Sequence, residues 1–295
     1  MIDSLNSKEI TVDQVGRKSG KFVLFIRSGA NCPLCLKDYQ KNENVIVVLS
    51  RYQNNNFQIE KEFWTLSGGL SKFDSARLFF SEFPDFMNYE AYAFFDPDVE
   101  ISFNEIHSLF EKGIEDRKAI FQPAVALGSH TFWKFLYNQN SIDWREVSFV
   151  EVMAPFFSKD ALTSVIDGFS DSISTWGLEY YWYSKCKEMS MAVYDPIVMR
   201  HDTKVDTVGG PFYRYLAQLN INPSIELEKL RGASVSKFYI ECAIPSWVPL
   251  WTKKYYIKIV AMAVLLRNRL SSTLLWRMLQ RLRAMVIGNK LSKDS

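Results

Sequence analysis

One stretch does most to limit what this chain can fold into: Tyr92 to Ser102, YAFFDPDVEIS, an apolar run that stops at two aspartates one residue apart. Alternation puts residues i and i+2 on one side of an extended chain, so Asp96 and Asp98 project together past a strand end. Pro97 between them removes a backbone donor and keeps that residue extended, which suits a strand terminus better than a central ladder position. Paired carboxylates there suit a hard divalent ion, Mg²⁺ or Mn²⁺, which is typically held by one or two carboxylates together with substrate phosphates. The plainer alternative is a turn carrying two solvated acids.

The flanking segments predict an α/β sheet around this stretch. Phe22 to Ile26 (FVLFI) reads as a buried first strand turning at Ser28-Gly29, and Val45 to Leu49 (VIVVL) as a buried parallel strand before a polar loop from Gln53 to Asn56. In LSGGLSKFDSARLFFSEF a Gly68-Gly69 turn leads to an N-cap at Ser71 or Asp74 and an apolar helical face of Ala76, Leu78, Phe79, Phe80 and Phe83. Lys72 thereby falls at a helix N-terminus, where it either meets a phosphate alongside backbone N–H groups or stays solvated. Phe103 to Lys112 reads as a helix and Ala119 to Leu127 as a strand interrupted at Pro123. Ser148 to Phe157 reads as a strand into a turn, Lys159 to Phe169 as a helix, and Met191 to Met199 as a strand ended by Arg200, His201 and Asp202. Such alternation predicts a mostly parallel sheet with helices on both faces and ligands at the strand ends.

Five segments in order, YAFFDPDVEIS, IFQPAVALGS, SFVEVMAPFFS, STWGLEYYW and VYDPIVMRHDT, resemble the bacterial and plant family catalogued as domain of unknown function 707. That family is in turn similar to glycosyltransferases of the GT-A fold. The resemblance implies a GT-A-like, Rossmann-type domain over residues 1–230. It also implies a metal-dependent glycosyltransferase of bacterial surface-polysaccharide assembly, taking an activated, diphosphate-bearing sugar donor and a saccharide or lipid-linked acceptor. The family's aspartate triplet stands as Asp96, Pro97, Asp98, its tryptophan-glycine-leucine-aspartate as Trp176, Gly177, Leu178, Glu179, and its phenylalanine-valine-glutamate ends at Glu151. His201 matches the histidine after the last core strand. By resemblance, Asp96, Asp98 and His201 hold Mn²⁺ or Mg²⁺, while Ser28, Gly29 and Lys72 join Asp96 at the donor's nucleotide and phosphates. Glu179, and after it Glu151, takes the acceptor's proton, and Trp176, Tyr180 and Trp182 form a stacking platform. Each role has a structural counterpart: the aromatics as core, Glu179 as a buried acid paired to an arginine, Glu151 as a carboxylate with a purely structural partner. For the protein as a whole the alternative is a catalytically silent sugar- or nucleotide-binding scaffold.

Two segments lie outside that reading. A formal net charge of only +2 conceals an asymmetry, because residues from Trp251 to Ser295 carry +9 and the remainder −7. Apolar residues from Ile257 to Val286 fall at helical spacing with arginines between them, so 231–295 is expected to be a basic amphipathic helical segment. It would lie on an anionic membrane surface, or pack on its own domain or a second subunit in a homodimer. The apolar run Ile259 to Leu266 falls far short of the roughly 20 residues a membrane span needs. Nucleic acid is not the expected partner, since the apolar face has no use there. Met1 to Lys21 lacks a signal peptide's apolar segment, which predicts a cytoplasmic protein peripheral at the inner membrane face. The second segment, FVLFIRSGANCPLCLKD, also resembles a glutaredoxin redox site, with Cys32 as a thiolate at a helix start and Cys35 resolving, or else the pair is incidental.

Overall fold

In the computed structural model, which describes residues 9–131, 133–140, 143–186, 188–203, 211–231 and 240–241, the apolar runs become strands of one sheet. The strands are β1 (Ile10–Gln14), β2 (Phe22–Ser28), β3 (Val45–Arg51), β4 (Trp64–Gly68), β5 (Ala91–Phe95), β6 (Val99–Glu100), β7 (Ile120–Val125), β8 (Trp144–Val147), β9 (Phe156–Ser158), β10 (Met191–His201) and β11 (Ile240–Glu241). The helices are α1 (Lys72–Glu82), α2 (Phe103–Glu115), α3 (Lys159–Val165), α4 (Leu178–Cys186), α5 (Pro211–Gln218) and α6 (Pro223–Arg231).

The spatial order is β1-β4-β3-β2-β5-β9-β7-β10-β8-β11, with β6 paired to β10 off this path. Strands β4, β3, β2 and β5 are mutually parallel, as are β7 and β10. The sheet is mostly parallel, as expected, with β9 entering antiparallel between β5 and β7. Apolar content alone does not give strand direction. Residues 148–155, read as strand from their composition, stay outside the ladder, and the chain joins it only at Phe156, coming from the edge where β5 and β7 end. Pro123 is tolerated inside β7 because it pairs with Tyr194 where the register of β10 shifts, between Tyr194 and Val198.

Parity along β2 assigns the layers. Phe22 stacks on Phe110 of α2 at 4.8 Å, whereas Phe25 meets Phe79 of α1 at 6.1 Å, so these helices cover opposite faces. On the α1 face, Phe73, Phe157 and Phe169 close around Trp182 of α4, with Phe73 to Trp182 at 5.4 Å. A Ser102–Glu105 capping box starts α2, and Ser71 caps α1 by accepting from the Asp74 N–H.

The chain runs outward from β2 through β3 to β4, then returns to β5 on the other side of β2. The ends of β2 and β5 thus flank a topological switch point, where open α/β sheets bind ligands. Of the basic helical segment expected at 231–295, the described residues are 231, which ends α6, and 240–241, which form strand β11 rather than helix; the rest lies outside the described residues, as does Cys242. Among the described residues no helix is long and apolar enough to cross a membrane.

The closest helix-to-sheet approach by a glycine is at Gly113 of α2, where an added Cβ would lie 2.1 Å from the buried Phe121 ring. Gly113→Ala should therefore lower stability by about 1–3 kcal/mol through overpacking. A urea midpoint equal to that of the natural chain would show that this contact is not made.

Candidate functional site

The site begins with how α1 is anchored. Arg27, buried at the end of β2, donates to the Gly68 and Gly69 carbonyls at 2.9 and 3.0 Å and to the hydroxyls of Ser50 and Ser75 at 2.6 and 2.7 Å. Burial lowers its pKa to about 10. This fixes the turn entering α1 and so fixes Lys72, its first residue, which is 4% exposed. The Lys72 ammonium donates to Asp96 Oδ1 at 2.8 Å and to the carbonyls of Val152 at 2.6 Å and Met153 at 3.4 Å. Its predicted phosphate role is corrected by this geometry: the helix start is where expected, but the charge is committed to Asp96. Burial lowers the Lys72 pKa and raises that of Asp96, and their mutual attraction offsets both shifts only in part.

Asp98 forms the second ion pair, with its Oδ2 lying 3.2 Å from His201 Nε2. His201 ends β10, and its Nδ1 donates to the His130 carbonyl at 3.0 Å. Burial works against the imidazolium, but the hydrogen bond and charge of Asp98 outweigh it and raise the His201 pKa to about 9. Burial likewise works against the Asp98 carboxylate, and His201 with the Thr203 side chain holds its pKa below the usual value. The D-x-D loop itself is braced from below: the Leu34 N–H donates to the Pro97 carbonyl at 2.9 Å.

Three observations bear on whether these residues suit a divalent ion. The 3.2 Å between Asp98 Oδ2 and His201 Nε2 is near the roughly 3 Å between adjacent ligands on an octahedral ion with bonds of about 2.1 Å. The carbonyl on Nδ1 is the outer partner that metal-bound histidines use to present Nε2. The side chains of Asp96 and Asp98 are 35% and 34% exposed, open enough to admit an ion with its waters. Among the described residues no group of three His, Cys, Asp or Glu side chains is gathered tightly enough to hold an ion by itself. The pair Asp98–His201 therefore fits, with water and phosphate oxygens needed to complete the shell.

The two glutamates lie close enough for their charges to interact. Glu179, 9% exposed in the first turn of α4, has its pKa raised to about 8 by burial and by the charge of Glu151, against hydrogen bonds from the backbone N–H groups of residues 179, 177 and 152. An arginine partner would have lowered it. Glu151 accepts from the Thr131 hydroxyl at 2.7 Å, and its N–H donates to Gln122 at 2.7 Å. Gly177, at φ +89°, lets α6 approach: a Cβ there would sit 3.1 Å from Leu230. Glu226 of α6 accepts from the Ile173 and Ser174 N–H groups at 3.1 and 2.8 Å, pinning α6 on this turn.

The stacking platform is corrected in two of its three members. Trp182 is 1% exposed inside the aromatic core and Tyr180 is 7% exposed beside Phe149, so neither ring has a free face. Trp176 is half-buried and meets Tyr213 of α5 edge-on. Ser28 and Gly29 are at the predicted strand end but buried, beneath a strap in which Asn55 donates to the Ser28 hydroxyl and the Gly29 carbonyl and the Tyr52 hydroxyl closes over Gly29. Burial, with the charges of Asp98 and Asp96 acting on the Tyr52 hydroxyl, raises its pKa. Asn55 was legible only as part of a polar loop after β3, and Tyr52 carried no signal in the sequence. The redox reading of the cysteines is corrected as well: Cys32 precedes and Cys35 lies within a 3-10 turn at Leu34–Leu36, and burial raises both thiols away from the thiolate.

No protein-family model matches the chain, and no curated protein is similar to it. The resemblance to the domain of unknown function 707 family is thus not supported by any family model. Among solved structures, A197 from STIV is similar at 16% identity and a TM-score of 0.35, over 62% of this chain and 86% of that one. GalNAc-T7, solved with UDP, GalNAc and Mn²⁺, is similar at 8% identity and a TM-score of 0.45, over 71% of this chain; the chain spans 50% of its length. At these scores neither likeness carries a functional argument.

Two titrations check the electrostatics. The folded state keeps the Glu179 proton to about pH 8 while the unfolded chain releases it near 4.5, so stability should fall as pH rises between those values, and Glu179→Gln should flatten that fall. An unchanged pH dependence in the variant would place the titration elsewhere. In the metal-free protein the His201 imidazole should titrate near 9 by NMR and move back toward 6.5 in Asp98→Asn. The stability from that pair is fully present below 6.5 and lost as pH rises through about 9. A His201 titration near 6.5 in the natural chain would contradict the pairing.

Proposed function

We propose that this chain is a metal-dependent glycosyltransferase. It moves a sugar from a nucleoside diphosphate-activated donor to a saccharide or lipid-linked acceptor in bacterial surface-polysaccharide assembly. The observation that carries this reading is one meeting of groups at the switch-point edge: the Asp96–Asp98 pair with His201, and a buried glutamate whose pKa lies near neutrality. Asp98 and His201, with Asp96 beside them, would hold Mn²⁺ or Mg²⁺, which when bound neutralises charge on a departing diphosphate.

The chain's own residues supply the rest. In its ionised form, which grows in as pH rises through about 8, Glu179 takes the acceptor hydroxyl's proton and is a stronger base than an exposed carboxylate. Glu151 keeps that basicity high through its charge. The strap with Tyr52 and Asn55 receives the nucleoside end of the donor, and Trp176 borders the acceptor side. In this reading the basic segment at 251–295 keeps the protein at the cytoplasmic face of the membrane, near a lipid-linked acceptor. The second reading, a silent sugar- or nucleotide-binding scaffold, draws on the ion pairs to Lys72 and His201, which already neutralise both aspartates.

A thermal-shift screen against nucleoside diphosphates and nucleotide sugars, with and without Mn²⁺, tests the binding half. A compound at about 100 times its Kd should add about 2.7 kcal/mol, and only when the metal is present. For the chemistry, Glu179→Gln should keep that shift and lose about 10²- to 10⁴-fold in transfer or donor hydrolysis. Metal-independent binding, or metal-linked binding with no turnover in the natural chain, would leave the scaffold reading standing; no binding of any compound would remove both.

A further inference from the structure

We propose that Lys72 is a positioning residue that holds the ion site and the proton-accepting site in register. This rests on the metal-dependent reading above and adds a role which that reading leaves unassigned. An ammonium has three donors. Here all three directions end on acceptors from two separate segments: Asp96 Oδ1 at 2.8 Å, and the Val152 and Met153 carbonyls at 2.6 and 3.4 Å. The same two segments are joined again by the Asp96 N–H, which donates to the Met153 carbonyl at 2.9 Å. The segment passes the constraint onward, since Val152 adjoins Glu151, whose charge acts on Glu179. A path of hydrogen bonds runs from Asp96 through Lys72 to the Val152 and Met153 carbonyls, and Glu151 in that same segment acts on Glu179 through its charge.

Lys72 is suited to this because it cannot move. It opens α1 under the Ser71 cap, Phe73 beside it is fully buried, and its own side chain is 3% exposed. Holding Oδ1 of Asp96 in one place leaves Oδ2 as the oxygen available to an ion. Outer partners that orient a metal's ligands are worth about 10- to 100-fold in metal affinity.

The test uses the full chain and Mn²⁺ alone, with free Mn²⁺ read by its electron paramagnetic resonance signal and folding by urea unfolding. The natural chain should bind one Mn²⁺ and Asp98→Ala should lose it. Lys72→Met should unfold cooperatively yet bind Mn²⁺ about 10- to 100-fold more weakly, with Lys72→Arg between the two. If Lys72→Met does not fold, Lys72→Arg carries the comparison, because a planar guanidinium cannot meet the same three acceptors. Variants that bind Mn²⁺ as the natural chain does would overturn the role of Lys72 and leave the metal site intact. A natural chain that binds no Mn²⁺, or an Asp98→Ala variant that binds it equally, would overturn both.

Discussion

An ammonium with almost no access to water must find all its hydrogen bonds inside the protein, and the way Lys72 does so shapes everything at the switch-point edge. Its partners are a carboxylate from the end of β5 and two carbonyls from the segment that leads into β9. Burial moves both members of the Lys72–Asp96 pair toward their neutral forms, so the pair is a poor source of net stability. Its consequence is geometric: residues 150–154 cannot shift without leaving a buried charge unmet. Because Glu151 and the Val152 N–H belong to that segment, the environment of Glu179 depends on the same contact.

The fold brings these groups together by topology. Ser28 and Asp96 end neighbouring parallel strands on either side of the switch point, and His201 ends a third co-directed strand. The antiparallel insertion of β9 delivers Glu151 to the same edge, since the chain must pass over the strand ends before entering the sheet. Two supports come from outside the sheet. The turn containing Cys32 and Cys35 props the D-x-D loop through the Leu34 N–H, and Glu226 fastens α6 over the Trp176-Gly177 turn.

Much of the α/β frame was legible in the sequence, because FVLFI, VIVVL and AYAFF are apolar enough to be buried on both faces whatever surrounds them. The start of α1 was legible for the same kind of local reason, a serine cap before an apolar helical face. What depended on tertiary context was not. Trp64–Gly68 reads as the approach to a glycine turn and forms β4 only because β3 lies alongside. The tryptophans and tyrosines of STWGLEYYWY have one spacing, yet α4 turns Trp182 into the core and leaves Trp176 half out. Lys72 could be placed at a helix start but not against Asp96, since nothing local links two residues that far apart in the chain. The pairing of Glu179 with another acid rather than an arginine was hidden for the same reason.

Anomalous diffraction at the manganese edge, from crystals grown with Mn²⁺ and a nucleoside diphosphate, tests the central claim most directly. The account predicts one peak at bonding distance from Asp98 and His201, with the Lys72 ammonium still on Asp96 and the Val152 carbonyl. A peak elsewhere, or a Lys72 side chain withdrawn from Asp96 onto the phosphates, would contradict it.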